Sequence, residues 1–215
     1  MGKRRMGPPE RVVLELRRWL DIGCFVETGT FRGDTARWAA SHFREVVSIE
    51  ASPELHAEAR RRLRDRANIE LRLGDSRLQL RATLRDRPQP CLFWLDAHWS
   101  GGPTHGEASE CPLLDELSAV NGRTVDDAIL VDDARCFAAP PPAPHRAEAW
   151  PDLTTVVSAL SAGGRRAVYL FDDVFLAVPH SLAVRTRELL QAEATVEWRQ
   201  RPRGGRLRRW LREHL

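Results

Sequence analysis

Acidic residues stand where several apolar runs of this sequence end. Asp96 and His98 follow "CLFWL", the pair Asp132 and Asp133 follows "AILV", and Glu50 and the "GDS" of Asp75 and Ser76 close two further runs. If Asp96, Asp132 and Asp133 converge on one edge, their charges repel unless something cationic lies between them. A hard divalent ion is the economical candidate, since Mg2+ takes a few carboxylates together with water and substrate oxygens. Such an ion would chelate neighbouring substrate oxygens and lower the pKa of an attacking hydroxyl. Asp133 could equally cap or pair with Arg135. His98, two residues beyond Asp96, carries an imidazole suited to general-base work near neutral pH, or it packs in its loop against a neighbouring carbonyl. Asp96 and His98 are the candidate catalytic residues.

A second group surrounds "VETGTFRG". Gly29 and Gly33 allow the backbone to turn tightly beside a ligand, with Glu27 just before the turn and Thr28 and Thr30 flanking Gly29. A dinucleotide fingerprint would place glycines where this chain has Phe31 and Asp34, so that motif fails. A carboxylate at Glu27 would repel a pyrophosphate and suits a cationic amino-acid group instead. Glu50, about twenty residues beyond the glycine turn, can accept both hydroxyls of a ribose, with Ala51 beside it. Asp75 can accept a hydrogen bond from an exocyclic amine. Together these acids describe a pocket for a molecule with an amino-acid part, a ribose and an adenine.

The elements that must position these residues alternate in type. Apolar β-branched runs alternate with segments of helical periodicity, which predicts a Rossmann-like α/β three-layer sandwich around a mostly parallel seven-stranded sheet. Strands are expected at "CFVET", "EVVSIEA", "IELRLGD", "CLFWLD" and "AILVDD". Helices are expected over 10–20, from Asp34 or Thr35 to about 43, from Ser52 to about 65, and over about 77–85, 112–120, 152–162 and 182–192. Ser52 before Pro53 is a good helix start, because the hydroxyl accepts an orphan amide bond and proline suits the first turn. Only Asp172 and Asp173 separate "RAVYLF" from "VFLAVP", so these two strands must form an antiparallel hairpin. In an open α/β sheet, ligands collect beyond the carboxyl ends of the strands, where all the residues named above fall.

On these residues the chain resembles the class I S-adenosylmethionine-dependent methyltransferases over roughly residues 22–178, terminal hairpin included. The resemblance implies that "ETGTFRG" stands for the glycine-rich first motif, with Phe31 at its middle glycine. It also implies that Glu50 is the ribose-binding acid and Asp75 the adenine-side acid. Asp96 with Asp132 and Asp133 resembles the metal-holding set of the cation-dependent O-methyltransferases of catechol and antibiotic-sugar type. The implied activity is metal-assisted O-methylation of a small hydroxylated metabolite or sugar, with S-adenosylmethionine and Mg2+ as cofactors. Metal-independent N-methylation and a nucleotide-binding scaffold without catalysis are the alternatives.

Composition bounds the rest. A chain of 215 residues is expected to form one domain, comprising a first helix over 1–21, a core over 22–178 and a C-terminal helix with a basic tail over 179–215. The four cysteines lack the spacing of a disulfide framework, which points to a reducing compartment and the cytoplasm. No stretch approaches the length of a membrane span, so no membrane partner is expected. The Arg-rich tail "RQRPRGGRLRRWLREHL" could suit an anionic partner or form a solvated amphipathic helix. Without an N/D-P-P-Y/F stretch or interleaved aromatics the sequence argues against nucleic acid as substrate. The loop "HWSGGPTHGEASEC" is expected to wall the acceptor site, with Trp99 as an aromatic face and His105 or Glu107 as polar contacts. Its irregular spacing of His98, His105, Glu107 and Cys111 argues against zinc. Apolar residues of the terminal helices leave a homodimer contact open.

Overall fold

The computed structural model describes residues 6–85, 87–98 and 110–200. The chain divides into two compact units, one ending at Ala183 and the other starting at Val184.

The first unit is built on a seven-stranded sheet of β1 (Cys24–Thr28), β2 (Glu45–Glu50), β3 (Ile69–Leu73), β4 (Cys91–Leu95), β5 (Ala128–Val131), β6 (Arg166–Phe171) and β7 (Val174–Pro179). Its spatial order is β3-β2-β1-β4-β5-β7-β6. The first five strands run parallel, whereas β7 is antiparallel to both β5 and β6. The order reverses between β1 and β4, and that reversal opens the crevice in which α/β sheets bind ligands. Asp172 and Asp173 both take positive φ, 49° and 67°, as a two-residue hairpin turn of matching twist requires.

The connecting helices are α1 (Glu10–Trp19), α2 (Asp34–Ala40), α3 (Pro53–Arg62), α4 (Ser76–Arg85), α5 (Leu113–Asn121), α6 (Arg135–Ala138) and α7 (Leu153–Ser161). Alternation along β1 divides the core between two layers. Val26 belongs to the core cluster that includes Leu80 of α4, Leu117 of α5 and Val156 of α7, while Phe25 meets Trp38 of α2 and Phe43 on the other face. Ser52 and Asp152 cap α3 and α7, accepting from the amides of Leu55 at 3.3 Å and Thr155 at 2.8 Å. The four cysteines are free thiols, with Cys24 and Cys91 opposite each other at the start of β1 and β4.

Two elements differ from expectation. The four-residue α6 follows β5 directly, too short to show helical periodicity. Helix α8 (Ala183–Gln200) runs eight residues past the expected 192, because no glycine or proline interrupts it before Pro202. Among the described residues, no helix is long and apolar enough to cross a membrane.

Candidate functional site

The turn after β1 is built around two backbone constraints. Gly29 has φ 82°, and a side-chain carbon there would stand 2.3 Å from the Asp96 carbonyl oxygen, so only glycine fits. Two residues on, Phe31 takes the left-handed conformation usual for glycine, with φ 48° and its side chain 44% exposed. Its amide donates to Glu50 Oε2 at 2.9 Å, and the Ser52 amide donates to Glu50 Oε1 at the same distance. Glu50 is therefore held by two backbone amides, one from the turn after β1 and one from its own strand end two residues on.

Glu27 is 1% exposed beneath this turn. Ser48 Oγ donates to its Oε2 at 2.5 Å, and Thr30 Oγ1 lies 2.6 Å from the same Ser48 hydroxyl. Burial pushes the Glu27 carboxyl up to about 8, helped by the charges of Asp96 and Glu50 and opposed by the Ser48 bond. A cation entering above it would favour the ionised form. Gly33 has φ 80°, and a side-chain carbon there would meet Leu63 at 2.7 Å, so the turn closes tightly before α2.

On the other face of β1, Thr28 lies near Ser76 and Glu116 of α5. Burial raises Glu116 to about 7, and the Ser76 and Thr28 hydroxyls oppose that rise. Asp75 is a bidentate partner of its own neighbour Arg77, whose Nε lies 2.9 and 3.0 Å from the two carboxylate oxygens. The adenine-side acid expected from sequence is thus an ion-paired carboxylate.

The second cluster lies at the ends of β4 and β5, where Leu95 and Val131 are neighbours in register. His98 Nε2 lies 2.7 Å from Asp133 Oδ2, while Nδ1 lies 3.6 Å from Asp96 Oδ1, beyond hydrogen-bond length. Asp133 has φ 53° and its amide donates to Asp132 Oδ1 at 2.7 Å. The Arg135 guanidinium bridges Asp133 Oδ1 and Asp173 Oδ2 of the hairpin. Burial opposes ionisation of Asp133, but His98 and Arg135 outweigh it and hold the carboxyl down at about 2. Burial likewise works against a charged His98, and the three surrounding carboxylates outweigh it, so its pKa is raised. Asp96 and Asp132 are held above the ordinary carboxylate range, by burial first and by mutual repulsion.

The Mg2+ expected between Asp96, Asp132 and Asp133 does not fit this arrangement. Both Asp133 oxygens face protein cations, one Asp132 oxygen accepts a backbone amide, and no His, Cys, Asp or Glu group among the described residues is arranged to hold a metal.

Other parts of the site gave little or no sequence signal. Ser48 is a polar interruption of "EVVSIE" that could have been noticed. Glu110 offers no such cue, yet it is buried and accepts hydrogen bonds from Trp150 Nε1 at 2.9 Å and from the Arg146 amide at 3.0 Å. Trp150 in turn stacks obliquely on His98 at 5.4 Å and on Phe137 at 5.6 Å. The stretch "PPPAPHRAEAW", residues 140–150, is thereby tied to the edge that carries His98. Trp99, His105 and Glu107 of the expected wall, and the basic tail from 201 onward, lie outside the described residues.

No protein-family model matches this chain, and no curated protein matches its sequence. Several solved structures share its fold. A Staphylococcus aureus protein provisionally assigned as a caffeoyl-CoA O-methyltransferase has a TM-score of 0.60 at 11% identity, covering 82% of this chain and 86% of that one. The S-adenosylhomocysteine-bound methyltransferase PaMTH1 of Podospora anserina has a TM-score of 0.55 at 17% identity, covering 81% and 80%. N-methyltransferase NodS of Bradyrhizobium japonicum WM9 has a TM-score of 0.51 at 12% identity, covering 80% and 94%. At these identities the likeness establishes the fold alone, a mostly parallel sheet with a terminal antiparallel pair that these structures share.

Proposed function

We propose that this chain is an S-adenosylmethionine-dependent methyltransferase that transfers a methyl group to a hydroxyl of a small acceptor, with residues 22–178 as its core. The observation that carries the reading is the pairing of His98 with Asp133 at 2.7 Å, one strand away from the Glu27 and Glu50 turn.

The residues around the turn fit the cofactor. Gly29 leaves room for close backbone approach, Glu50 faces a ribose, and the buried Glu27 suits an amino-acid cation. Thr28, Thr30, Gly33, Ala51, Asp75, Ser76 and the Asp96 backbone complete the proposed binding surface. When bound, S-adenosylmethionine supplies an electrophilic methyl group on sulfur.

The chain's own residues then orient the acceptor and remove its proton. Ionised Asp133 holds the proton of neutral His98 on Nε2, which leaves the Nδ1 lone pair for the acceptor hydroxyl. Asp96, 3.6 Å from Nδ1, stabilises the imidazolium that forms once it is itself ionised. His98 would take the proton of the acceptor hydroxyl at Nδ1, freeing its oxygen to accept the methyl group that the cofactor would supply as its sulfur–methyl bond breaks. Because His98 has a raised pKa, it works as a base only as the pH rises through that value.

The test is transfer of labelled methyl from S-adenosylmethionine to a panel of phenols and sugars. The His98→Ala variant should retain S-adenosylhomocysteine binding and lose transfer to the acceptor that wild type methylates. Undiminished transfer in that variant would overturn the assignment of the base.

A further inference from the structure

The edge that carries His98 collects four carboxylates, Asp96, Asp132, Asp133 and the hairpin's Asp173. Their charge is answered from within the chain. Arg135 is anchored twice to Asp173, through its guanidinium on Oδ2 and through its backbone amide on Oδ1 at 2.8 Å. The preceding amide, of Ala134, donates to the Asp173 carbonyl at 2.8 Å. So positioned, the guanidinium lies on Asp133 Oδ1 while His98 lies on Oδ2. An arginine cannot shed its charge, and its planar fork is matched to carboxylates. A divalent ion needs near-octahedral oxygen donors at short range and gives up its own water reluctantly. To take Asp133 as a ligand it would have to break the Arg135 and His98 contacts and then sit beside a displaced guanidinium that stays positive.

We infer that Arg135, with His98, stands in for a divalent cation at this edge, so that wild-type protein binds none there and its chemistry is cation-independent. The absence of metal binding follows from the placement of these residues alone, whereas cation independence of the reaction rests on the methyltransferase reading. Arg135 is a positioning residue in this scheme: it holds Asp133, and Asp133 holds His98.

The experiment is calorimetric titration of full-length protein with Mn2+ and, separately, with S-adenosylhomocysteine. Wild type should give no saturable Mn2+ heat. Arg135→Gln should acquire one, with a dissociation constant at least about tenfold below any weak wild-type association, and Arg135→Gln with Asp132→Ala should lose it. Thermal unfolding shows whether the Arg135→Gln variant is folded, and Arg135→Lys, which keeps the charge, should bind no Mn2+. Saturable Mn2+ binding by wild type that disappears in Asp132→Ala overturns the inference. So does a folded Arg135→Gln variant that still binds none, because Arg135 would then not be what excludes the ion. Loss of S-adenosylhomocysteine binding in wild type would instead count against the methyltransferase reading and leave the metal result standing.

Discussion

A side-chain carbon on Gly29 would stand 2.3 Å from the Asp96 carbonyl oxygen, which places the first turn of the chain in contact with the end of β4 across the reversal point of the sheet. Gly29→Ala should therefore be costly for two reasons: the left-handed φ of 82°, at about 1–2 kcal/mol, and the overlap itself. Gly163, with φ 69° and nothing within 4 Å of the added carbon, supplies the control. Urea unfolding should show a clearly larger loss for Gly29→Ala than for Gly163→Ala. Equal losses would mean that the two strand ends are not in contact.

Glu27 predicts a proton-linked effect. Its folded pKa of about 8 lies above the ordinary 4.5, so its neutral form favours the folded state. The contribution is full below the unfolded value and is lost as pH rises toward about 8. Glu27→Gln should flatten the decline in thermal midpoint between about pH 5 and pH 8. The same variant should weaken S-adenosylhomocysteine binding, since it cannot ionise to meet the amino-acid cation. An unchanged pH slope would show that Glu27 is ionised in the folded protein.

His98 and Asp133 titrate in opposite senses. His98 is raised, so methyl transfer should fall as pH drops through its pKa, at a value above the ordinary 6.5. Removing the Asp133 charge with Asp133→Asn should move that inflection downward and lower the maximal rate, because Nε2 loses its anionic partner. For stability the sign reverses: the His98–Asp133 contribution from the histidine is complete below its unfolded pKa and is lost as pH rises through the raised one. NMR titration of the His98 ring would check the shift. A pKa at or below the ordinary value would contradict the contact.

Glu110 makes a structural prediction. Glu110→Ala would leave the buried Trp150 Nε1 and the Arg146 amide without their acceptor, at about 1–3 kcal/mol for each unsatisfied group. Glu110→Gln retains an acceptor and should lose less. Because Trp150 packs on His98, the alanine variant should also slow transfer, a difference that paired denaturation and rate measurements would register.

Much of this arrangement is legible in the sequence because it depends on local pattern. Each apolar run ends at its acid, the Asp172–Asp173 spacing forces the hairpin, and Ser52–Pro53 marks the start of α3. The conformation of Phe31 was not legible, since its side chain gives no sign that its backbone would take the place of a glycine. Nor was the charge balance of the edge that carries His98. Three acids can be assigned to neighbouring strand ends by counting, but Asp173 lies 38 residues beyond Arg135 and reaches it only through the return of β7 onto β5. Glu110 and Trp150 likewise meet 40 residues apart, each in an irregular stretch where sequence offers no register.

The most direct measurement is calorimetric titration of the purified protein with S-adenosylhomocysteine, repeated for Glu50→Ala. Saturable binding at one site per chain is predicted, weakened at least about tenfold in the variant because Glu50 anchors the Phe31 and Ser52 amides and is the proposed partner of the ribose. A folded wild type that binds none, or a folded Glu50→Ala that binds as tightly, would contradict the methyltransferase reading.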